Sequence, residues 1–353
     1  ARLRHRMGFL DLLFGPPRPD AFAQRIMRTL RTAGHTAPLE YDREAFRLVT
    51  DAGFLNLTNC YREFCAADRG EREEVVRNFV RSFFDGQKEI PDEFADAEPD
   101  LLPILRERSM IALQELECQV NGVAAMPWAY EPVAEHYATG LVYDLPSSMR
   151  YISVGDLEDW GVTLYEATEA ARRNLHELGI PGFAQVTDGL YTLLPVDDYV
   201  SSRLLLLDVI RRFEVEGDPV AIIPNRKQLL LTGADDPGGL AGGPVLIETM
   251  DDASGPVIPL PVRLSGADWP PWRPPADHPA APQYKKFELQ FHGGQYQNQK
   301  ELLDRLHEAR GEDVFVASYS AVEDEATGRL CSYCVWSEGG DSLLPVTDQI
   351  ALV

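Results

Sequence analysis

The stretch GDPVAIIPNRKQLLLTG, Gly217 to Gly233, sets two short aliphatic runs on either side of a polar, sharply turning Pro224-Asn225-Arg226-Lys227. Apolar runs this short, bounded by turn formers, read as strands rather than helices. Val220 to Ile223 and Leu229 to Thr232 are therefore expected as adjacent antiparallel strands, with Pro224 to Gln228 as the loop. Proline lacks an N–H and fits a strand end or a bulge. Asn225 is the residue expected in a left-handed turn conformation, with Arg226 projecting sideways.

Hairpins of this kind recur along the chain. AFRLVT and FLNLTN flank Asp51-Ala52-Gly53, TGLVYDLP is followed by MRYISV, and GFAQV and LYTLLPV flank Thr187-Asp188-Gly189. Single helices alternate with them. One is expected from an Asp20 cap through Phe22, Ile26, Leu30 and Ala33 to Gly34, and another carries Val75, Val76, Phe79, Val80, Phe83 and Phe84. Thr163 and Glu166 form a capping box ahead of Leu164, Ala167, Ala171, Leu175 and Leu178. A leucine-rich helix is expected over about 201–213. This grammar specifies an α+β fold with mostly antiparallel sheet.

The expected organisation is an extension over 1–14, a helix–hairpin–helix unit over 15–95 and a central α+β domain over 104–258. The first unit should end in the proline- and acid-rich stretch 86–103. Eight prolines between Pro259 and Pro282, with Trp269 and Trp272, make 259–283 a linker in extended conformation. Beyond it, 284–353 should be a small strand-rich unit: strand KFELQF, a helix around 299–310 and three strands. Its ending, SLLPVTDQIALV, echoes AIIPNRKQLLLT, aligning Pro345 with Pro224 and Gln349 with Gln228, and TLLPVDDYV around Pro195 is a weaker third copy.

YDLPSSMRYISVGDLEDWGVTLYEATEAARRNL, followed by DDYVSSRLLLLDVIRRFEVEGDPVAIIPNRKQLLLTG, resembles the YtpQ-like family of uncharacterised bacterial proteins. The resemblance covers roughly 15–250 and is most specific over 141–233, where DLEDWGV, SSRLLL and GDPVAIIPNR occur in order. It implies a fold and no particular reaction. The family usually continues Pro-Asn-Arg with Asp, whereas Lys227 stands here, and 284–353 has no counterpart in it.

Of 353 residues, 33 are basic and 56 acidic, for a formal charge of −23. That field repels phosphate backbones, so direct nucleic-acid binding is not expected. No apolar run reaches the roughly 18–20 residues of a membrane helix. Cys60, Cys65, Cys118, Cys331 and Cys334 are too few and scattered for a secreted disulfide scaffold, which favours a cytoplasmic location. The N-terminal ARLRHRMGFLDLLFG imitates a signal peptide, but Asp11 interrupts its short apolar run, and Met7 reads as the natural start.

Walker, dinucleotide-binding, HExxH and nucleophile-elbow motifs are missing from the sequence. Cys331 and Cys334 form a lone CxxC, read as structural thiols, and neither a cofactor nor a metal is expected. His136 and His176 read as surface or internally satisfied side chains. The best polar constellation is Asp197, Asp198 and Arg203 with Asn225 and Arg226, where a guanidinium and an amide would meet a carboxylate or phosphate. The competing reading pairs Arg226 with Asp197 or Asp198 and leaves Asn225 to shape the turn. The function expected is non-enzymatic: a cytosolic acidic protein binding a partner protein or peptide through free strand edges. The alternatives are a hydrolase using the Asp197, Asp198 and Arg226 group, or an acidic mimic of nucleic acid.

Overall fold

The computed structural model describes residues 17–50, 53–86, 88–123, 127–146, 148–179, 182–194, 197–249, 258, 260–324 and 328–353. The extension over 1–14 and the proposed start at Met7 lie outside the described residues, as do Asp51 and Ala52 of the first expected turn. The chain divides into two compact units, 1–89 with 144–150, and 90–143 with 151–353.

In the first unit, Pro19 occupies the first turn of α1 (Pro19–Thr32), where its missing N–H has no helical partner to lose. Asp20 therefore lies inside the helix and not at its cap, and it accepts a hydrogen bond from Tyr41 Oη at 3.0 Å. A meander of β1 (Glu40–Asp42), β2 (Arg47–Thr50) and β3 (Gly53–Asn56) follows, then α2 (Thr58–Ala66) and α3 (Arg72–Asp85). Phe22, Ile26 and Leu30, at helical spacing, bury against Leu48, Leu57, Phe64, Val76 and Val80. Burial in this core pushes the Cys60 thiol up to about 12, so it packs as a small apolar group.

The second unit opens with α4 (Phe94–Ala97), β4 (Leu101–Glu107) and α5 (Arg108–Asn121). The acid-rich stretch expected over 86–103 thus contains the start of a buried strand. Among the described residues β4 pairs on one side only, with β6 (Tyr137–Leu145), in a sheet ordered β4-β6-β5 where β5 is Tyr130–Pro132, and that edge position accommodates Pro103. After β7 (Ser148–Tyr151) come α6 (Val154–Trp160) and α7 (Leu164–Glu177). Both helices begin with a capping box, Ser153 with Asp156 and Thr163 with Glu166.

Next are the strands β8 (Gly182–Thr187) and β9 (Leu190–Leu194), a 3-10 turn (Ser201–Leu205) and α8 (Leu207–Ile210). The helix expected over 201–213 is broken at Leu206, whose backbone (φ −87°, ψ 73°) is not helical. β10 (Pro219–Asn225) and β11 (Gln228–Gly233) form the expected antiparallel hairpin, but its turn is tighter than the sequence suggests. Asn225 faces Gln228, leaving Arg226 and Lys227 as a two-residue loop, and the register shift between Ile222 and Asn225 absorbs Pro224. Asn225 is not left-handed; among the described residues Phe46 is the non-glycine residue at positive φ.

The sheet is completed in the order β12-β10-β11-β9-β8, where β12 is Val262–Arg263. The proline-rich stretch expected as a linker is therefore part of the sheet. Ala221 faces Val262 across the ladder, Trp272 N–H donates to Pro261 O at 2.9 Å, and Trp269 is only 2% exposed. Its prolines are tolerated because β12 lies at the edge.

Helix α9 (Pro237–Thr249) contains Pro244, which has no N–H for the carbonyl four residues earlier, that of Leu240. Tyr284 supplies the missing donor: its Oη donates to Leu240 O at 3.1 Å, and both groups are buried. Gly243 leaves the space, since a Cβ there would stand 2.6 Å from Tyr284 Oη.

Tyr284 belongs to α10 (Ala281–Arg310), a single 30-residue helix. KFELQF, expected as a strand, lies within it: Phe287 and Phe291 are four apart and pack inward. β13 (Val314–Val316), β14 (Ser320–Glu323), β15 (Leu330–Trp336), β16 (Asp341–Leu343) and β17 (Gln349–Leu352) follow. β16 pairs in parallel with β13, and β17 in parallel with β15. The strands around Pro345 therefore do not form a second copy of the β10–β11 hairpin. These residues also share one compact unit with the central strands and do not stand as a separate terminal unit.

Tyr284→Phe leaves the Leu240 carbonyl buried without a partner and is expected to destabilise the protein by about 1–3 kcal/mol. In a Pro244→Ala background the restored helical N–H reaches that carbonyl, so the same change should be milder. Urea denaturation of the double-mutant cycle measures this; equal losses in both backgrounds would rule out the compensation.

Candidate functional site

Among the five residues singled out by sequence, Arg203 and Asp197 form a closed pair. Arg203 is 1% exposed and delivers its guanidinium bidentately to Asp197, at 2.6 and 2.7 Å. Asp197 also accepts from Tyr199 N–H at 2.9 Å. The neighbouring Ser202 Oγ accepts from Leu105 N–H at 3.0 Å, which fixes this turn against β4. Asp198 pairs at 3.2 Å with Lys227 at the surface. Asn225 accepts from Lys227 N–H at 2.9 Å and donates to Gln228 Oε1 at 2.6 Å, so it shapes the turn. Arg226 is exposed and makes no ion pair among the described residues.

A second polar group, on α10, was not singled out. Glu288 and His292 are four residues apart on one helix face, with Tyr296 the next turn on. Glu288 is buried and accepts from Arg273 of the proline-rich segment through both guanidinium arms, the Nε contact at 2.9 Å. Burial is the largest influence on its carboxyl and pushes it up. The Arg273 hydrogen bonds, with Lys285, Arg273 and His292, outweigh that and leave it below its ordinary value. Lys285 also reaches Asp348 at 3.4 Å, and Asp348 accepts from Ser332 N–H at 2.8 Å and Ser332 Oγ at 3.0 Å. Burial raises Asp348, but those Ser332 bonds and Lys285 bring it below its usual range.

His136, read from sequence as an ordinary surface or satisfied histidine, meets this group. Its ring lies 5.5 Å from those of Phe291 and His292, and the two imidazoles share a cavity of about 50 Å³ with Glu135, Trp272, Arg273 and Glu288. Neither ring has a hydrogen-bond partner among the described residues. Burial is the main reason both titrate below the ordinary histidine value; the Glu135 charge opposes it at His136, and the charges of Glu288 and Glu135 oppose it at His292. A signal for this site was present: Glu288, His292 and Tyr296 have helical spacing, visible once KFELQF is read as helix. His176 is elsewhere, in an exposed pair with Asp208 at 3.3 Å.

The surface around β13–β17 has another character. Among the described residues, nine of the sixteen exposed large apolar side chains lie between 314 and 353: Phe315, Val322, Val335, Leu343, Leu344, Val346, Ile350, Leu352 and Val353. Cys331 and Cys334 lie three apart on β15 and point to opposite faces as free thiols, with Cys334 buried. Among the described residues no group of three or more His, Cys, Asp or Glu is placed to hold a metal ion, and no helix is long and apolar enough to cross a membrane.

The chain is 35% identical over 101 residues to a UPF0354 protein of Listeria monocytogenes serotype 4a (strain HCC23). The match takes in 28% of this chain and 38% of that relative, well short of its full length. No family model and no solved structure matches the chain.

Two predictions follow from these geometries. Arg203→Ala removes a buried charge and its packing and should destabilise by about 3–5 kcal/mol, whereas Arg226→Ala should stay within about 0.5 kcal/mol. Chemical denaturation distinguishes them, and equal effects would contradict the placement. For the histidine pair, depressed folded values mean that the unfolded chain binds more protons once pH falls below about 6.5. Their contribution is complete above that pH and is lost as pH falls towards the folded values. A His136→Gln, His292→Gln double variant should therefore lose less stability than the parent between pH 7.5 and 5; parallel profiles would refute the assignment.

Proposed function

We propose that this chain is a non-catalytic protein-binding module of the cytoplasm, related to the YtpQ-like proteins, and that its partner docks on the surface of β13–β17. The carrying observation is the concentration of exposed apolar side chains there. Scattered single apolar residues are ordinary on any surface, but a cluster in one segment of about forty residues favours an interaction site. The acidic charge acts over longer range, raising the encounter rate with basic partners and repelling nucleic acid. A second reading, acid–base chemistry, is supported by the unpartnered imidazoles of His136 and His292 beside Glu135.

Photo-crosslinking from position 346 in cells of the source organism, followed by mass spectrometry, tests the proposal. A discrete protein adduct is expected, and it should disappear in a Phe315→Ser, Leu352→Ser variant that melts within a few degrees of the parent. A Tyr165→Ser, Val245→Ser variant, altered at exposed apolar residues elsewhere, should keep the adduct. Equal loss in both variants, or no adduct at all, would refute the docking surface.

A further inference from the structure

The β14-β15-β17 sheet has two edges, and they are unlike. β14 ends in Glu323 with Asp324 after it, and charge on an edge discourages further pairing. Among the described residues β17 is paired on one side only, with β15, and all four of its residues are exposed. Gln349-Ile350-Ala351-Leu352 contains no charge or proline to discourage further pairing. Its ladder to β15 runs on to Val353, whose N–H donates to Trp336 O at 3.1 Å.

Register shows what the open edge lacks. Ile350 is opposite Cys334 and Leu352 opposite Trp336, and facing residues of paired strands point to the same side of the sheet. Cys334 is fully buried, yet Ile350 is 53% and Leu352 72% exposed. The covered face beneath β15 becomes an uncovered apolar shelf beneath β17. One more strand would bring side chains beside Ile350 and Leu352 and would satisfy the outward backbone groups.

Charge selects among the candidates for that strand. From Gly311 to Val353 the sequence has eight acidic residues and one basic, Arg329. A second copy of this chain would bring the same negative field to the edge, whereas a basic segment is drawn to it.

Resting on the docking surface proposed above, we infer that β17 accepts an extended segment of another protein, alternating apolar and small polar residues between basic flanks, as an added strand. The apolar positions lie on the Ile350–Leu352 shelf, the backbone completes the ladder, and the basic flanks meet the acidic surroundings.

The test uses the full 353-residue chain and a fluorescein-labelled peptide, KKVTVTVTKK, followed by anisotropy. Saturable binding is expected, with hydrogen-exchange protection at 349–353. Affinity should fall at least tenfold when proline replaces the central valine, when glutamates replace the flanking lysines, and in Ile350→Lys. A melt of Ile350→Lys and the exchange pattern of the parent keep the result independent of folding. Equal binding of the proline-interrupted peptide would reduce the effect to charge alone and overturn strand addition. So would failure of the basic peptide to bind, or peptide-independent dimerisation in sedimentation. If the peptide fails while the crosslinked partner persists, strand addition falls and the docking surface stands; loss of both removes the surface as well.

Discussion

The second unit depends on one constraint: the β10–β11 hairpin is buried on both faces. Ala221, Ile223, Leu229 and Leu231 point to one side, among Val200, Leu204, Ile210, Leu264 and Trp269. Ile222 and Leu230 point to the other, among Leu190, Tyr284 and Phe287. Each of these isoleucines and leucines is worth about 1.5–3 kcal/mol when fully covered, so both faces must be covered for the hairpin to be stable. The broken 201–210 segment and the proline-rich stretch cover one face, and α10 covers the other. Arg203 lies within the first layer, and its closed pair with Asp197 is what makes a charge admissible there.

Covering the second face also fixes what α10 carries. Tyr284 is tied to the Pro244 gap in α9, and the next turn presents Lys285 and Glu288. From Glu288 a polar chain runs one way to Arg273 and the other through Lys285 to Asp348 and Ser332. Asp348 N–H donates to Ser332 Oγ at 3.0 Å while accepting from Ser332, so the residue before β17 is clamped to β15. The open edge is thus held by a polar network anchored on α10, the helix that covers one face of the central hairpin. A partner strand of the kind proposed would gain from a strand already in place, because less ordering is required on association.

The sequence made much of this legible, and the misses have physical causes. Hairpin pairs, the capping box at Thr163 and the helical stripe at Phe22, Ile26 and Leu30 are local signals and emerge as read. The α+β class follows from them. The proline-rich stretch was misread because composition reports the absence of N–H donors, not whether a sheet edge is waiting to accept such a strand. KFELQF was misread because a short alternating run resembles a strand until Phe287 and Phe291 are counted four apart. At the candidate sites, one reading of the sequence paired Arg226 with Asp197 or Asp198. Space gave Asp197 to Arg203 instead, six residues away, and brought His136 to His292 across more than 150 positions, a contact no local pattern encodes.

Native-state hydrogen exchange of the proline-rich segment tests the central claim, that this segment is a layer of the second unit and not a tether. The Leu264 N–H, donated to Pro219 O, and the Trp272 N–H, donated to Pro261 O, are the probes, with the β10–β11 amides as reference. The account predicts that both exchange only with the opening that releases Ala221 and Leu231, with matching free energies and denaturant dependence. Fast exchange of Leu264 and Trp272 while the β10–β11 amides remain protected would contradict it.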